Sequence, residues 1–202
     1  MLKSQTTHIL TILVTVICFF SIIPKTHGKT FSGRVIDADT REPIEGAVVV
    51  VYWHEARRTS IGDLSSRPKD VKETLTDKNG EWSVTGPAGG ENTISSYLSL
   101  ITGMYYTREP EFIIFKPGYC CWPEGFAIDA CSEKLNPEGN GKIREGNIIE
   151  LLKLRREKDR VRNIPGIAGG ENALEKQKEF IRLINEERRK LGLPEIYGTR
   201  SD

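Results

Sequence analysis

From Phe31 onward the apolar positions fall into short runs separated by turn-forming residues. FSGRVID, Phe31 to Asp37, alternates in its second half and reads as a first strand, after which ADTREPIE turns the chain through Asp39, Thr40 and Pro43. GAVVVVYW, Gly46 to Trp53, is continuous in β-branched residues, and such a run is buried on both faces or lies in a sandwich core. HEARRTSIGDLSSRPKD follows as a long polar loop. VKETLTDKNGEWSVTG is a hairpin about Asp77-Lys78-Asn79-Gly80, because Asn-Gly tolerates the positive φ a tight turn requires.

Beyond the hairpin the pattern loosens. Tyr97, Leu98, Leu100 and Ile101 suit either a strand or a short helical turn, and EFIIFKPGY is a strand ended by Pro117 and Gly118. CCWPEGFAIDACSEKLNPEGNGKIREG has no sustained period, and NIIELLKL, Asn147 to Leu154, supplies a last apolar strand. Seven or so short strands with turns between them predict an all-β sandwich over residues 29–154. A charged, Gly-rich linker is expected over 155–170, then a helix over 171–192 and a tail over 193–202. In that helix Ala173, Phe180, Ile184 and Leu191 share one face, with Gly192 at the stop and Pro194 beyond. The face either packs on its own sandwich or docks a partner through Phe180, Ile184 and Leu191.

The residues before Phe31 change the picture of location. MLKSQTTH carries one Lys and no acid, and ILTILVTVICFFSII, Ile9 to Ile23, is free of charge before PKTHG. This is the order of a secretory signal, with a basic start, an apolar centre of roughly 7 to 15 residues and small residues before the cut. Cleavage is expected after Gly28, with Thr26 at the other small position. The run is shorter than the 20 or so residues of a spanning helix, so no transmembrane span is expected after cleavage. Ile17 before Cys18 argues against a lipid-modified cysteine. The expected location is the periplasm or the extracellular space.

Charge removes further classes. The 29 basic and 28 acidic residues nearly cancel, and losing Lys3 and Lys25 with the leader leaves a net −1, so no field for nucleic acid remains. KLRREKDRVR, Lys153 to Arg162, is interrupted by Glu157 and Asp159 and reads as a solvated face. Cys120, Cys121 and Cys131 survive cleavage, and either of the first two can close a short loop with the third. We take Cys121 with Cys131 as the candidate disulfide. Three thiols without a nearby His leave a zinc site incomplete.

FSGRVIDADTREPIEGAVVVVYW, ETLTDKNGEWSVTG and FIIFKPGY together resemble the carboxypeptidase regulatory-like domain. The matching residues are Gly33, Val35, Asp37, Thr40, Pro43, Ile44, Gly46, Ala47, Val48, Thr76, Asp77, Gly80 and Trp82. The resemblance runs from Phe31 to Tyr119 or on to Leu154. It implies a transthyretin-like (prealbumin-like) sandwich in a bacterial-type exported protein. Such residues specify turns and a fold, not an activity.

Chemistry is thin on the sequence. His54 is the one His left after cleavage, and HEAR has Arg58 where H-E-x-x-H has its second His, so zinc hydrolysis is not expected. The terminal IYGTRSD contains Tyr197, Gly198, Arg200 and Ser201, yet not in the order of the transthyretin-related hydrolases. His54 with Ser60 or a cysteine is the residual catalytic reading. GPAGG and IAGGE lack the Lys-Ser/Thr of a phosphate loop, and Asp37 to Asp39 and Asp77 to Asn79 read as turns before calcium ligands. No cofactor is implied. What remains is binding of an envelope protein or a glycan through Trp122, Tyr119, Tyr105 and Tyr106, with Trp53 and Trp82 assigned to the core.

Overall fold

The computed structural model describes residues 28–88, 93–123, 131, 143 and 146–197. The leader Met1 to His27, most of the segment between Pro123 and Gly146, and the last five residues lie outside them. The signal expectation therefore falls on residues not described.

Two sheets face each other. In the first, β1 (Thr30–Asp37) is central, antiparallel to β4 (Glu81–Thr85) and parallel to β7 (Asn147–Leu151). In the second, β2 (Val48–Thr59) runs antiparallel to β3 (Gly62–Leu75) on one edge. On its other edge lie β5 (Tyr106–Thr107) and β6 (Glu111–Phe115), which divide the length of β2 between them. The sandwich core holds Phe31, Val35, Val49, Val51, Trp53, Trp82, Phe112, Ile114, Ile149 and Leu151.

The Val48 to Val51 run shows why a continuous apolar strand exists here. Alternate residues point to opposite faces, so Val49 and Val51 enter the inter-sheet core while Val48 and Val50 face outward. The outer pair is nevertheless fully buried. Phe115 of the same sheet lies beside it, and over it lie Phe180, Leu183 and Ile184 from a C-terminal helix that forms a third layer.

The tight turn expected at Asp77 to Gly80 is present, but it does not close a hairpin: β3 pairs with β2 and β4 with β1, so the turn carries the chain from the second sheet to the first. Gly80 takes φ +75°, and a Cβ there would overlap the Val35 carbonyl oxygen, so glycine is required on two counts. The Asp77 carboxylate closes the turn by accepting the amides of Asn79 and Glu81, each at 2.8 Å.

Some expectations need correction, and two alternatives left open are decided. The polar stretch after Trp53 is no loop: β2 and β3 continue through it as a long hairpin arm. Pro68 is accommodated because β3 is an edge strand and the register shifts beside it, between Trp53 and His54. Of the strand and the helical turn open to Tyr97 to Ile101, the chain takes the helix, α1 (Thr93–Thr102). Within the supposed linker lies α2 (Glu157–Arg162), and the single C-terminal helix is two pieces, a 3-10 turn (Glu171–Lys176) and α3 (Lys178–Lys190).

The other open alternative concerns the face of α3. Phe180 and Ile184 are fully buried and Leu191 nearly so, all against this chain. Polar groups fix the helix there. The Glu73 carboxylate on β3 accepts the amides of Glu179 and Phe180, both at 2.9 Å, serving the first-turn donors a helix leaves open. Gln177 exchanges hydrogen bonds with the Ala168 backbone at 2.9 and 2.7 Å. Glu187 is clasped by both ends of the Arg160 guanidinium at 2.8 and 2.7 Å, joining α2 to α3. Of the two readings of this face, packing on the protein's own second sheet is the one found.

Candidate functional site

Sequence reasoning placed four aromatic residues at a candidate site, and the structure separates them into two pairs. Tyr119 and Trp122 lie near the Val48 end of β2, where Trp122 exchanges backbone hydrogen bonds with Ile114 at 2.9 and 2.7 Å. Both rings are half-buried on the inter-sheet core. The Tyr119 hydroxyl bonds Asp37; burial first, and then that carboxylate, push its pKa up. Trp122 therefore fills a seam and is not the exposed contact expected of it. Tyr105 and Tyr106 lie at the other end of the strand, Tyr106 opposite Ala56 and Ile114 opposite Val49. That is seven positions apart along β2, roughly 23 Å at about 3.3 Å per residue.

The cysteines also pair differently. Cys120 is bonded to Cys131, and Cys121 is free and buried in the layer beneath α3. Adjacent residues on an extended segment point opposite ways. Cys121 faces the second sheet's outer surface, with its amide held by Asn163 Oδ1 at 2.8 Å, while Cys120 faces Leu152 and Leu154. Burial pushes the Cys121 thiol up to about 12, which leaves it protonated and inert.

His54 sits on the second sheet's outer side beside Tyr52 and Glu111. Its Nδ1 is 3.9 Å from the Glu111 carboxylate, and the Tyr52 hydroxyl donates to that same carboxylate at 2.6 Å. Ser60 is six positions further along the chain, past the end of β2. Among the described residues no three His, Cys, Asp or Glu side chains gather as a metal-binding group, and no helix is long and apolar enough to cross a membrane.

The feature that stands apart is α1. TISSYLSLIT has no charged residue. Ile94, Tyr97, Leu98 and Ile101 recur at i, i+3, i+4 and i+7, so they share one helix face. Amphipathic helices of soluble domains turn that face inward. Here it is exposed, Ile101 at 82%, whereas Ser99 on the other side is 1% exposed.

Serines point inward because they have backbone to satisfy. The Ser99 hydroxyl accepts the Arg58 amide at 3.0 Å, and Ser96 accepts from the Arg58 guanidinium at 3.4 Å. Met104 follows the helix and is exposed, and Ile61 at the tip of the β2–β3 arm is 86% exposed. The helical spacing was present in the sequence, but spacing alone does not say which face turns inward.

Cations surround this end. Arg67 stacks over Tyr105 with 4.2 Å to the ring centroid, and Arg58 over Tyr106 with 5.4 Å. Arg57 lies against Gly103 at the end of α1. Glu55 and Asp63 on the arm are each shared by two cations. Glu55 meets Arg67 at 2.8 Å and Lys69 at 3.4 Å, and Asp63 meets Arg58 at 3.7 Å and Arg108 at 3.8 Å. Burial opposes ionisation of Glu55, but Arg67 and Lys69 outweigh it and hold the carboxyl below its ordinary range.

No family model matches the chain, and no curated protein does. Among solved structures it is similar to a streptococcal ancillary pilin, at 14% identity over 65% of this chain and 30% of that one, with a TM-score of 0.30. It is also similar to catechol 1,2-dioxygenase from Acinetobacter sp. ADP1, at 18% identity over 66% of this chain and 55% of that one, TM-score 0.32. A third is 3-chlorocatechol 1,2-dioxygenase from Rhodococcus opacus 1CP, at 20% identity, 65% and 62% coverage and TM-score 0.28. The chain spans less than two thirds of each of these proteins. At such scores the likeness carries no argument about activity, and the β-sandwich stands on its own strand pairings.

Proposed function

We propose that this chain is an exported β-sandwich accessory module of the cell envelope, without catalysis, which works by presenting a docking surface. The observation that carries this reading is α1, an uncharged helix fixed by its serines with its apolar face outward. Contiguous exposed apolar surface on a small domain marks an interaction site. A transthyretin-like architecture and membership of the carboxypeptidase regulatory-like domains belong to the same proposal, supported by the motif residues from Gly33 to Trp82. The Cys120–Cys131 disulfide suits an oxidising compartment.

Two other readings lose support. Docking through Phe180, Ile184 and Leu191 would require α3 to leave its own core. Glycan stacking through Trp122, Tyr119, Tyr105 and Tyr106 loses support because the first two rings pack on the inter-sheet core, Tyr106 is buried and Arg67 lies over Tyr105.

The test is fractionation of cells producing the full chain, with thiols blocked before lysis. Wild-type protein should be recovered oxidised and retained by washed envelopes, and Ile101→Glu should wash out. Equal retention of the two, or reduced protein in the cytosol, would overturn the reading. Reproducible hydrolysis by pure protein, abolished by His54→Ala, would overturn the non-catalytic part.

A further inference from the structure

We propose that the α1 end of the sandwich is a membrane-surface site that takes anionic phospholipid: Ile94, Tyr97, Leu98, Ile101 and Met104 enter the headgroup region while Arg57, Arg67 and Arg108 meet its phosphates. This rests on the envelope reading above and names the docking partner.

Charge complementarity favours lipid. The helix itself carries no charge, and its surroundings supply Arg57, Arg58, Arg67, Lys69 and Arg108 against Glu55 and Asp63, with Glu109 just beyond Arg108. An apolar face with a cationic border and tyrosines at its edge is the arrangement of a helix that lies in the plane of an anionic bilayer. Tyr97 and Tyr105 stand at that edge, both exposed, each with an apolar ring and a polar tip suited to the interface.

A second copy of the chain would bring the same cations together around the contact, which disfavours self-association there.

Every described element and core residue lies after Gly28, so the chain without residues 1–28 is the form to test. Its flotation is compared on vesicles of phosphatidylglycerol with phosphatidylethanolamine and on vesicles of phosphatidylcholine alone. Binding should occur to the anionic vesicles, weaken as salt shortens the Debye length from about 10 Å at 0.1 M to about 3 Å at 1 M, and fall on the order of tenfold or more with Ile101→Glu. Arg57→Glu should weaken binding to the anionic vesicles alone. Both positions are exposed, and circular dichroism confirms that the variants are folded.

Absence of vesicle binding, or equal binding by wild type and Ile101→Glu, overturns the lipid proposal. If envelope retention still depends on Ile101, the docking reading stands with a protein as partner. A concentration-dependent dimer that Ile101→Glu abolishes, without vesicle binding, assigns the face to a second copy and overturns the lipid proposal. If neither vesicles nor envelopes retain the protein, both readings fail.

Discussion

Asp37 ends β1 with its carboxylate folded back on the chain, accepting the amides of Asp39 at 2.8 Å and Thr40 at 3.0 Å. Burial raises its pKa, but these amides and the Tyr119 hydroxyl outweigh burial and hold the carboxyl below its ordinary 3.8. The folded pKa is the lower one, so its stabilisation is fully present above the unfolded value and is lost as pH falls through the folded value. Asp37→Asn should lower stability by roughly 1–2 kcal/mol at neutral pH, and urea titrations should show the difference shrinking below about pH 4. At this scale the turn residues were legible, because Asp37, Asp77 and Gly80 act on neighbours within four positions or on the adjoining strand. Arg160 and Glu187 were not: KLRREKDRVR reads as a solvated face, and only the fold brings Glu187 to it across 27 positions. Glu187 is 2% exposed in its side chain. Arg160→Ala should therefore cost roughly 3–5 kcal/mol by leaving a buried carboxylate unpaired, measured as a shift in the urea midpoint, and Arg160→Met with Glu187→Leu should recover much of it.

Elements differ in how far their environment could be inferred. The Val48 to Val51 run announced two-sided burial, but the material covering its outer side is α3, more than a hundred residues later. Phe180→Ala should open a cavity against Phe115, whose ring lies 6.2 Å away, and cost about 3–5 kcal/mol. Deleting residues 171–202 removes that whole layer, so the remaining chain should lose its cooperative unfolding transition instead of persisting as a folded sandwich. The β2–β3 arm was misread because it extends beyond the sandwich core, where its partners are the serines of α1 and charged side chains and no apolar alternation is needed; cross-strand pairs such as Arg67 with Glu55 hold it. For α1 the expected asymmetry is a reversal of the usual rule. Ser99→Ala should destabilise by about 1 kcal/mol through loss of the Arg58 contact, whereas Ile101→Glu should change the melting temperature little.

As a molecule, the protein is three layers, with the second sheet sandwiched between the first sheet and the C-terminal helices. The Cys120–Cys131 bond spans 11 positions of chain. A loop of that size stabilises by about 3 kcal/mol in the chain-entropy account. Cys131→Ser should lower the urea midpoint accordingly, and Cys121→Ser should leave the bond intact. The sequence narrowed the pairing to two choices but could not decide between adjacent cysteines, since that depends on which side of the strand faces which layer.

The parallel pairing of β1 with β7 sets a schedule. Gly33 to Asp37 lie beside Asn147 to Leu151, so the strand made first waits for one of the last. A chain threaded into an exporting pore N-terminus first cannot complete its first sheet until residue 151 has cleared the far side, and cannot cover the second until α3 follows. Such long-range closure folds on the slow side of the range for small domains. During that interval the valines of β2 are bare, so a chain exported in this way acquires its shape after transit and not during it.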